Sequence, residues 1–180
     1  MSNNTHLKTK RLVMNAMLAA MCAVLGYLAV DLGNLKVTFE SLPILISAFL
    51  FGPVYGACVG AVGTLVYQLV RYGVSVTTPL WMLPYIAAGF LVGIYAKRKD
   101  FSLNPRQTLV VTFLAELLIT LLNTGVLYID SKIFGYYSPV YIFGSLGMRL
   151  VICVVKGIAF GLIIPGIVRA VTKVTGSGKA

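Results

Sequence analysis

Apolar residues along this chain gather into long uncharged runs set apart by short polar breaks. A helix keeps its backbone hydrogen bonds internal in lipid, and about 20 apolar residues cross the hydrocarbon core. Leu12–Val30 is such a run, and a polar loop, Asp31–Glu40, follows with Gly33, Asn34 and Lys36. Ser41–Val70 carries no charge but is broken at Gly52-Pro53, a helix stop followed by a proline suited to a first turn. Thirty residues are too few for two upright spans and too many for one. The pattern predicts two short or tilted helices, Phe39–Phe51 and Pro53–Arg71, joined by a tight turn. After a loop at Tyr72–Pro79 come spans at Leu80–Ala96 and Arg106–Ile129, a loop at Asp130–Pro139 and a long last helix, Val140–Val171. The expected fold is an all-α bundle of six transmembrane helices over residues 11–172, with tails at 1–10 and 173–180.

Composition agrees with that pattern and excludes its rivals. Hydrophobic residues make up 58% of the chain and charged residues 11%, whereas soluble domains carry about 25% charged residues. No globular core of this size hides so much apolar surface from water. A soluble enzyme, a disordered chain and a secreted disulfide scaffold are thereby excluded. Cys22, Cys58 and Cys153 lie inside apolar runs without metal-ligand spacing, and His6 is the one histidine. Catalytic residues, a metal site and a cofactor are therefore not expected. The apolar run after the polar tail extends past a signal-peptide core and has no cleavage site, so it reads as a retained first span.

A net charge of +10 would suggest nucleic acid in a soluble domain; here it orients the bundle. Six spans place both termini on one side. Lys8, Lys10, Arg11, Lys97, Arg98, Lys99, Arg106, Arg169, Lys173 and Lys179 fall on that side, against Lys36, Arg71 and Lys132 on the other. Basic residues favour cytoplasmic loops, so the expectation is a multi-pass protein of the bacterial plasma membrane with cytoplasmic termini and no nucleic-acid partner.

Ionisable groups inside spans are costly and single themselves out. Glu116 falls near the middle of the fifth span, and Arg149 and Lys156 lie seven apart on nearly one face of the last helix. Arg71 ends the third span in the same outer half, with Tyr67, Gln68, Trp81, Tyr85 and Asn123 at similar depth. Cations beside aromatic faces suit an anionic ligand with a flat ring. Arg71, Trp81, Tyr85, Asn123, Arg149 and Lys156 are the candidate binding residues. Plainer roles stand beside this one. Arg71 and Arg149 could snorkel to headgroups, Lys156 could pair with Glu116, and Trp81 and Tyr85 could belong to an interfacial belt.

Small residues form a second pattern: Ala16/Ala20 and Ala19/Ala23 in the first span, and Gly52, Gly56, Gly60 and Gly63 around the third. Such faces let helices approach closely, within the bundle or against a partner. Thr175-Gly176-Ser177-Gly178-Lys179 lacks the first glycine, the following Ser or Thr and the frame of a phosphate loop. Energy for uphill transport must then come from another subunit or an ion gradient. Glu116 is the one midplane carboxylate available for ion coupling, and no inverted repeat is visible, which disfavours a self-sufficient secondary carrier.

Ala16-Met17-Leu18-Ala19-Ala20, Leu42-Pro43-Ile44, the stretch Leu50-Phe51-Gly52-Pro53-Val54-Tyr55-Gly56-Ala57-Cys58-Val59-Gly60, Tyr85-Ile86-Ala87-Ala88-Gly89 and Leu121-Leu122-Asn123-Thr124 together resemble the substrate-binding (S) components of energy-coupling-factor (ECF) vitamin transporters, nearest the folate-type branch. The resemblance spans residues 11–172 and is most specific at the Leu-Phe-Gly-Pro stretch. It implies a vitamin site on the outer side and a coupling transmembrane subunit against Ala16, Ala19, Ala20 and Ala23. It also implies two ATPase subunits, and an S component that topples in the membrane. Folate, a carboxylate-bearing ring, is the favoured ligand. Pantothenate, hydroxymethylpyrimidine or pyridoxine, a queuosine precursor and cobalamin are the alternatives. In the folate-type pattern the last helix carries a closer Arg–Lys pair than Arg149 and Lys156.

Overall fold

A computed structural model describes residues 2–32, 35–102 and 104–175. Helix α1 (Ser2–Tyr27) leads into a hairpin of β1 (Val30–Leu32) and β2 (Leu35–Val37), followed by α2 (Ser41–Phe51) and α3 (Pro53–Tyr72). Then come α4 (Thr78–Arg98), α5 (Pro105–Ile133), the single turn α6 (Pro139–Phe143) and α7 (Leu146–Thr175). Five helical stretches, Lys8–Tyr27, Pro53–Tyr72, Thr78–Arg98, Pro105–Ile133 and Pro139–Lys173, are long and apolar enough to cross a membrane. This is a helical, multi-pass membrane architecture.

Several boundaries differ from the sequence expectation, each for a local reason. Residues 2–10, expected as a tail, continue α1. The loop expected at Asp31–Glu40 contains an antiparallel hairpin with Val30 opposite Val37 and Leu32 opposite Leu35. Alternation of Val30, Leu32, Leu35 and Val37 with Asp31 and Lys36 is a strand pattern too short to notice beside 20-residue runs. Gly33 and Asn34 lie outside the described residues, as do residues 176–180 with most of the rejected phosphate-loop lookalike. Helix α5 runs one turn past Ile129 and so takes in Asp130 and Lys132. The long last helix is interrupted between α6 and α7, at Gly144-Ser145.

Gly52 makes the break that the sequence places between α2 and α3. Its φ of +93° is costly for any residue with a Cβ, its N–H closes α2 on the Ala48 carbonyl, and Pro53 opens α3. Helix α2 is apolar all round and correspondingly enclosed. Leu45, Ile46 and Phe49 pack with Val92 and Ala96 of α4, Ala115 of α5 and Phe160 and Ile164 of α7. At its other side Ile44 joins Ala19, Cys22, Val59, Tyr85, Ala88 and Ile119. At the start of α5, Asn104 and Gln107 form a capping box with Pro105 at the first helical position.

Glycines set how closely α3 approaches its neighbours. A Cβ at Gly60 would stand 2.8 Å from the Tyr85 carbonyl oxygen of α4, and one at Gly56 would stand 2.7 Å from the Gly89 carbonyl oxygen. On the opposite side Gly63 lies against Cys22 and Ala19 of α1. The small residues of α3 thus serve contacts inside the bundle. The alanines of α1 divide: Ala19 turns inward and is buried, Ala23 is half-buried, and Ala16 and Ala20 are exposed among Leu12, Val13, Met17 and Met21. Asn15, buried on the same helix, is tied to α2 by a hydrogen bond from the Ser47 hydroxyl to its Oδ1.

Candidate functional site

Helices α3, α4, α5 and α7, with the end of the hairpin, enclose a cavity of about 570 Å³, within the range of small-molecule sites. Tyr67 and Gln68 come from α3, Trp81 and Tyr85 from α4, and Glu116, Thr120, Asn123 and Asp130 from α5. Arg149, Cys153 and Lys156 line it from α7, and Thr38 and Glu40 from the segment after β2. Of the six residues expected at the site, Trp81, Tyr85, Asn123, Arg149 and Lys156 meet here. Arg71 does not line the cavity. Its guanidinium donates to the Tyr27 carbonyl at 2.9 Å, and so closes one of the carbonyls left open at the end of α1.

Lys156 and Glu116 form a salt bridge of 3.0 Å, with Glu116 only 1% exposed and Lys156 13%. The antiparallel contact of α5 and α7, in which Gly157 meets Phe113 and Gly161 meets Leu109, brings Glu116 and Lys156 level. The pair satisfies Glu116 Oε2, while Glu116 Oε1 is buried without a hydrogen-bond partner among the described residues. Asn123, two turns along α5, donates from Nδ2 to the Tyr85 hydroxyl at 3.3 Å, and its Oδ1 is likewise buried and unpartnered. The Tyr85 hydroxyl in turn faces Glu40. Two acceptors two turns apart on α5 therefore remain open, Glu116 Oε1 beside an ammonium whose charge is balanced and Asn123 Oδ1 beside the Tyr85 hydroxyl.

A different network forms toward the loop end. Asp130 accepts from the Trp81 indole N–H at 3.3 Å through Oδ1 and from the Tyr136 hydroxyl through Oδ2. Burial, followed by the Asp130 hydrogen bond and charge, holds the Tyr136 hydroxyl above the usual tyrosine range. Lys132 lies 3.9 Å from the Tyr137 ring centre and 5.8 Å from that of Tyr128, a cation–π arrangement that holds the loop against α5. Arg149, half-buried in the first turn of α7, forms no salt bridge with a described residue.

Glu40, Asp130 and Tyr136 were not singled out from sequence. Asp130 and Glu40 stood in expected loops, where an acid is unremarkable, and Tyr136 was one of many aromatics. The buried placement of Asp130 and Glu40 arises from the extra turn of α5 and from the hairpin, and Tyr136 reaches the cavity through its hydroxyl on Asp130. Among the described residues, no group of three or more His, Cys, Asp and Glu side chains is placed to hold a metal ion.

Comparison with known proteins agrees with this architecture. The chain is 28% identical over 177 residues to the "Riboflavin transporter RibU" of Staphylococcus aureus (strain TCH60), covering 91% of this chain and 86% of that protein. Its fold is similar to the crystal structure of an S-component for biotin from an ECF-type ABC transporter. That likeness has a TM-score of 0.70 and 20% sequence identity, and covers 96% of this chain and 95% of that one. Residues 10–174 match the family described as "ECF transporter, substrate-specific component". Matched along nearly its whole length in this way, the bundle and its polar-aromatic cavity are those of a transporter component rather than an enzyme, and the chain belongs to the family of ECF transporter substrate-specific components.

Proposed function

We propose that this chain is the vitamin-capturing membrane subunit of an ATP-driven ECF importer, and that its ligand carries a flat heteroaromatic ring, riboflavin being the first candidate. The observation that carries this reading is the cavity wall, where aromatic Tyr67, Trp81 and Tyr85 stand with the open acceptor Asn123 Oδ1 and the balanced Glu116–Lys156 pair. A ring edge that gives an N–H to Asn123 Oδ1 meets that open acceptor, and ring faces stack on the aromatic wall. Within the cavity wall Glu40, Glu116 and Asp130 outnumber Arg149 and Lys156. An uncharged ring is therefore better suited to the inner end than a carboxylate. The similarity to a riboflavin transporter points the same way.

Folate is the second reading, and Arg149 supports it, since that guanidinium is open to a carboxylate. In either case the bundle sits in the plasma membrane with six helical segments, α6 and α7 counting as one, and with both termini cytoplasmic. The exposed Ala16 and Ala20, with Ala23 beside them, face a coupling subunit that two ATPases drive. The test is titration of the purified chain with riboflavin, folate, pantothenate and pyridoxine, following fluorescence of its one tryptophan, Trp81. Saturable one-to-one quenching by riboflavin supports the first reading, and quenching by folate alone supports the second. Vitamin uptake into liposomes holding this chain without ATPases overturns both in favour of a self-sufficient carrier.

A further inference from the structure

Charge is also concentrated at the end of the bundle away from the cavity. Cavity residues on α4 and α5 stop at Tyr85 and Glu116, and both helices continue from there to the turn that joins them. Lys97, Arg98, Lys99 and Arg106 flank that turn, all exposed, with Asp100 the one acid among them. None of these cations forms a salt bridge with a described residue. The turn holds them in place. Asp100 and Phe101 take left-handed φ values of +47° and +56°. Phe101 N–H donates to the Ala96 carbonyl and Ser102 N–H to that of Lys99, each at 2.9 Å. The Phe101 ring reaches the α2–α3 elbow, where a Cβ on Gly52 would meet it at 3.5 Å.

Beyond the cations the exposed surface is apolar. Phe90 and Leu91 stand seven residues before Lys97 and Arg98, and Val110 and Leu114 stand four and eight after Arg106. At these spacings each pairing shares one helix face. With a rise of 1.5 Å per residue, the apolar side chains lie about 6–12 Å further along the helices. That is within the ~15 Å of one hydrocarbon leaflet when the cations stand at headgroup level. The ends of the apolar spans, at Arg98 and Pro105, put the cations at that level.

We propose that the α4–α5 turn is a docking site for an anionic phospholipid. Arg98 and Arg106 grip the phosphodiester with their forked donors, Lys97 and Lys99 flank it, and the acyl chains lie along Phe90, Leu91, Val110 and Leu114. A zwitterionic headgroup brings its own ammonium into the cluster, so the site prefers a headgroup of net negative charge. A free phosphate leaves the apolar faces unused. The site shares no residue with the vitamin cavity.

Native mass spectrometry of the purified chain in neutral detergent, titrated with phosphatidylglycerol and with phosphatidylcholine of the same acyl chains, tests this. Wild type should bind phosphatidylglycerol with a Kd at least about tenfold lower, since an anionic surface favours each nearby cation by about fivefold. Arg98→Gln/Arg106→Gln should lose most of that preference. Lys8→Gln/Lys10→Gln removes the same charge from the exposed start of α1, which packs on α2 and α3, and should keep it. Leu91→Gln/Leu114→Gln should weaken both lipids. Equal affinity of wild type for the two lipids, or an equal loss in the two charge variants, overturns the site. Displacement of the lipid by an equal concentration of soluble glycerol phosphate overturns the lipid in favour of a free anion. Full preference retained by Arg98→Gln/Arg106→Gln also overturns it, and leaves the cluster to an acidic protein surface.

Discussion

Removing one member of the Glu116–Lys156 pair should cost far more than removing both. At 3.0 Å, two unit charges attract by about 5.5 kcal/mol at an effective dielectric constant of 20. Lys156→Met forfeits that attraction and leaves Glu116, 1% exposed, as a buried charge without a counterion. Such losses typically run to about 3–5 kcal/mol. Glu116→Gln leaves Lys156 uncompensated, but that side chain retains 13% exposure, so the smaller loss belongs to this variant. The double variant Glu116→Gln/Lys156→Met removes both charges and keeps the volumes. It should fall within about 1 kcal/mol of wild type, because desolvation of a buried pair roughly cancels its attraction. In detergent, with Trp81 emission as the probe, the Lys156→Met midpoint should drop by about 6–20 °C, taking 2–4 °C per kcal/mol, and the double variant should recover most of that. Additive losses in the double variant would show that the two side chains stabilise the bundle independently. The pairing argument would then be wrong.

Other expectations follow from local geometry. Gly60→Ala should destabilise the bundle by about 1–3 kcal/mol, because its Cβ would stand 2.8 Å from the Tyr85 carbonyl oxygen. Gly125→Ala on α5 meets nothing within 4 Å and should be neutral or stabilising by up to about 1 kcal/mol; thermal midpoints of the two variants compare them directly. Asn15→Ala leaves the buried Ser47 hydroxyl without its acceptor and should cost about 1–3 kcal/mol, most of it recovered when Ser47→Ala is added. In an alkaline spectrophotometric titration Tyr136 should ionise later than ordinary tyrosines, since burial and Asp130 both favour its neutral form. Asp130→Asn should move that step to lower pH, while burial keeps part of the shift. Loss of the late step in Tyr136→Phe identifies it.

The long helices were legible because a membrane makes a simple demand of sequence: enough apolar length with internal hydrogen bonds. Gly52-Pro53 was equally readable, since no other pair so plainly stops one helix and starts another. The level of Glu116 and Lys156 could be counted from helix ends, which is why their pairing was among the roles considered. Rotation about each helix axis was harder to read. Arg71 was expected at the same depth as the other cations, yet its side chain turns toward α1 and the Tyr27 carbonyl. Ala19 and Ala20 are adjacent in sequence, but one faces Gly63 and the other faces outward. Such facing is decided by which neighbours pack where, and single-helix periodicity does not contain that information. Glu40 and Asp130 escaped notice because depth was judged from apolar runs, and both stand just beyond the ends of such runs.

The glycine contacts between α3 and α4 carry a consequence for how this protein can change. Gly56 and Gly60 meet backbone on the facing helix, so the spacing of the two helices is fixed by atoms that no side-chain replacement alters. Tyr67, Gln68, Trp81 and Tyr85 project from that frame into the cavity. Exchanging them changes what the wall offers a ligand without moving the wall itself. Selectivity is in this sense an interchangeable lining on a rigid frame: variants at these four positions should leave the spacing of α3 and α4 intact, and those at Gly56 or Gly60 should disturb it.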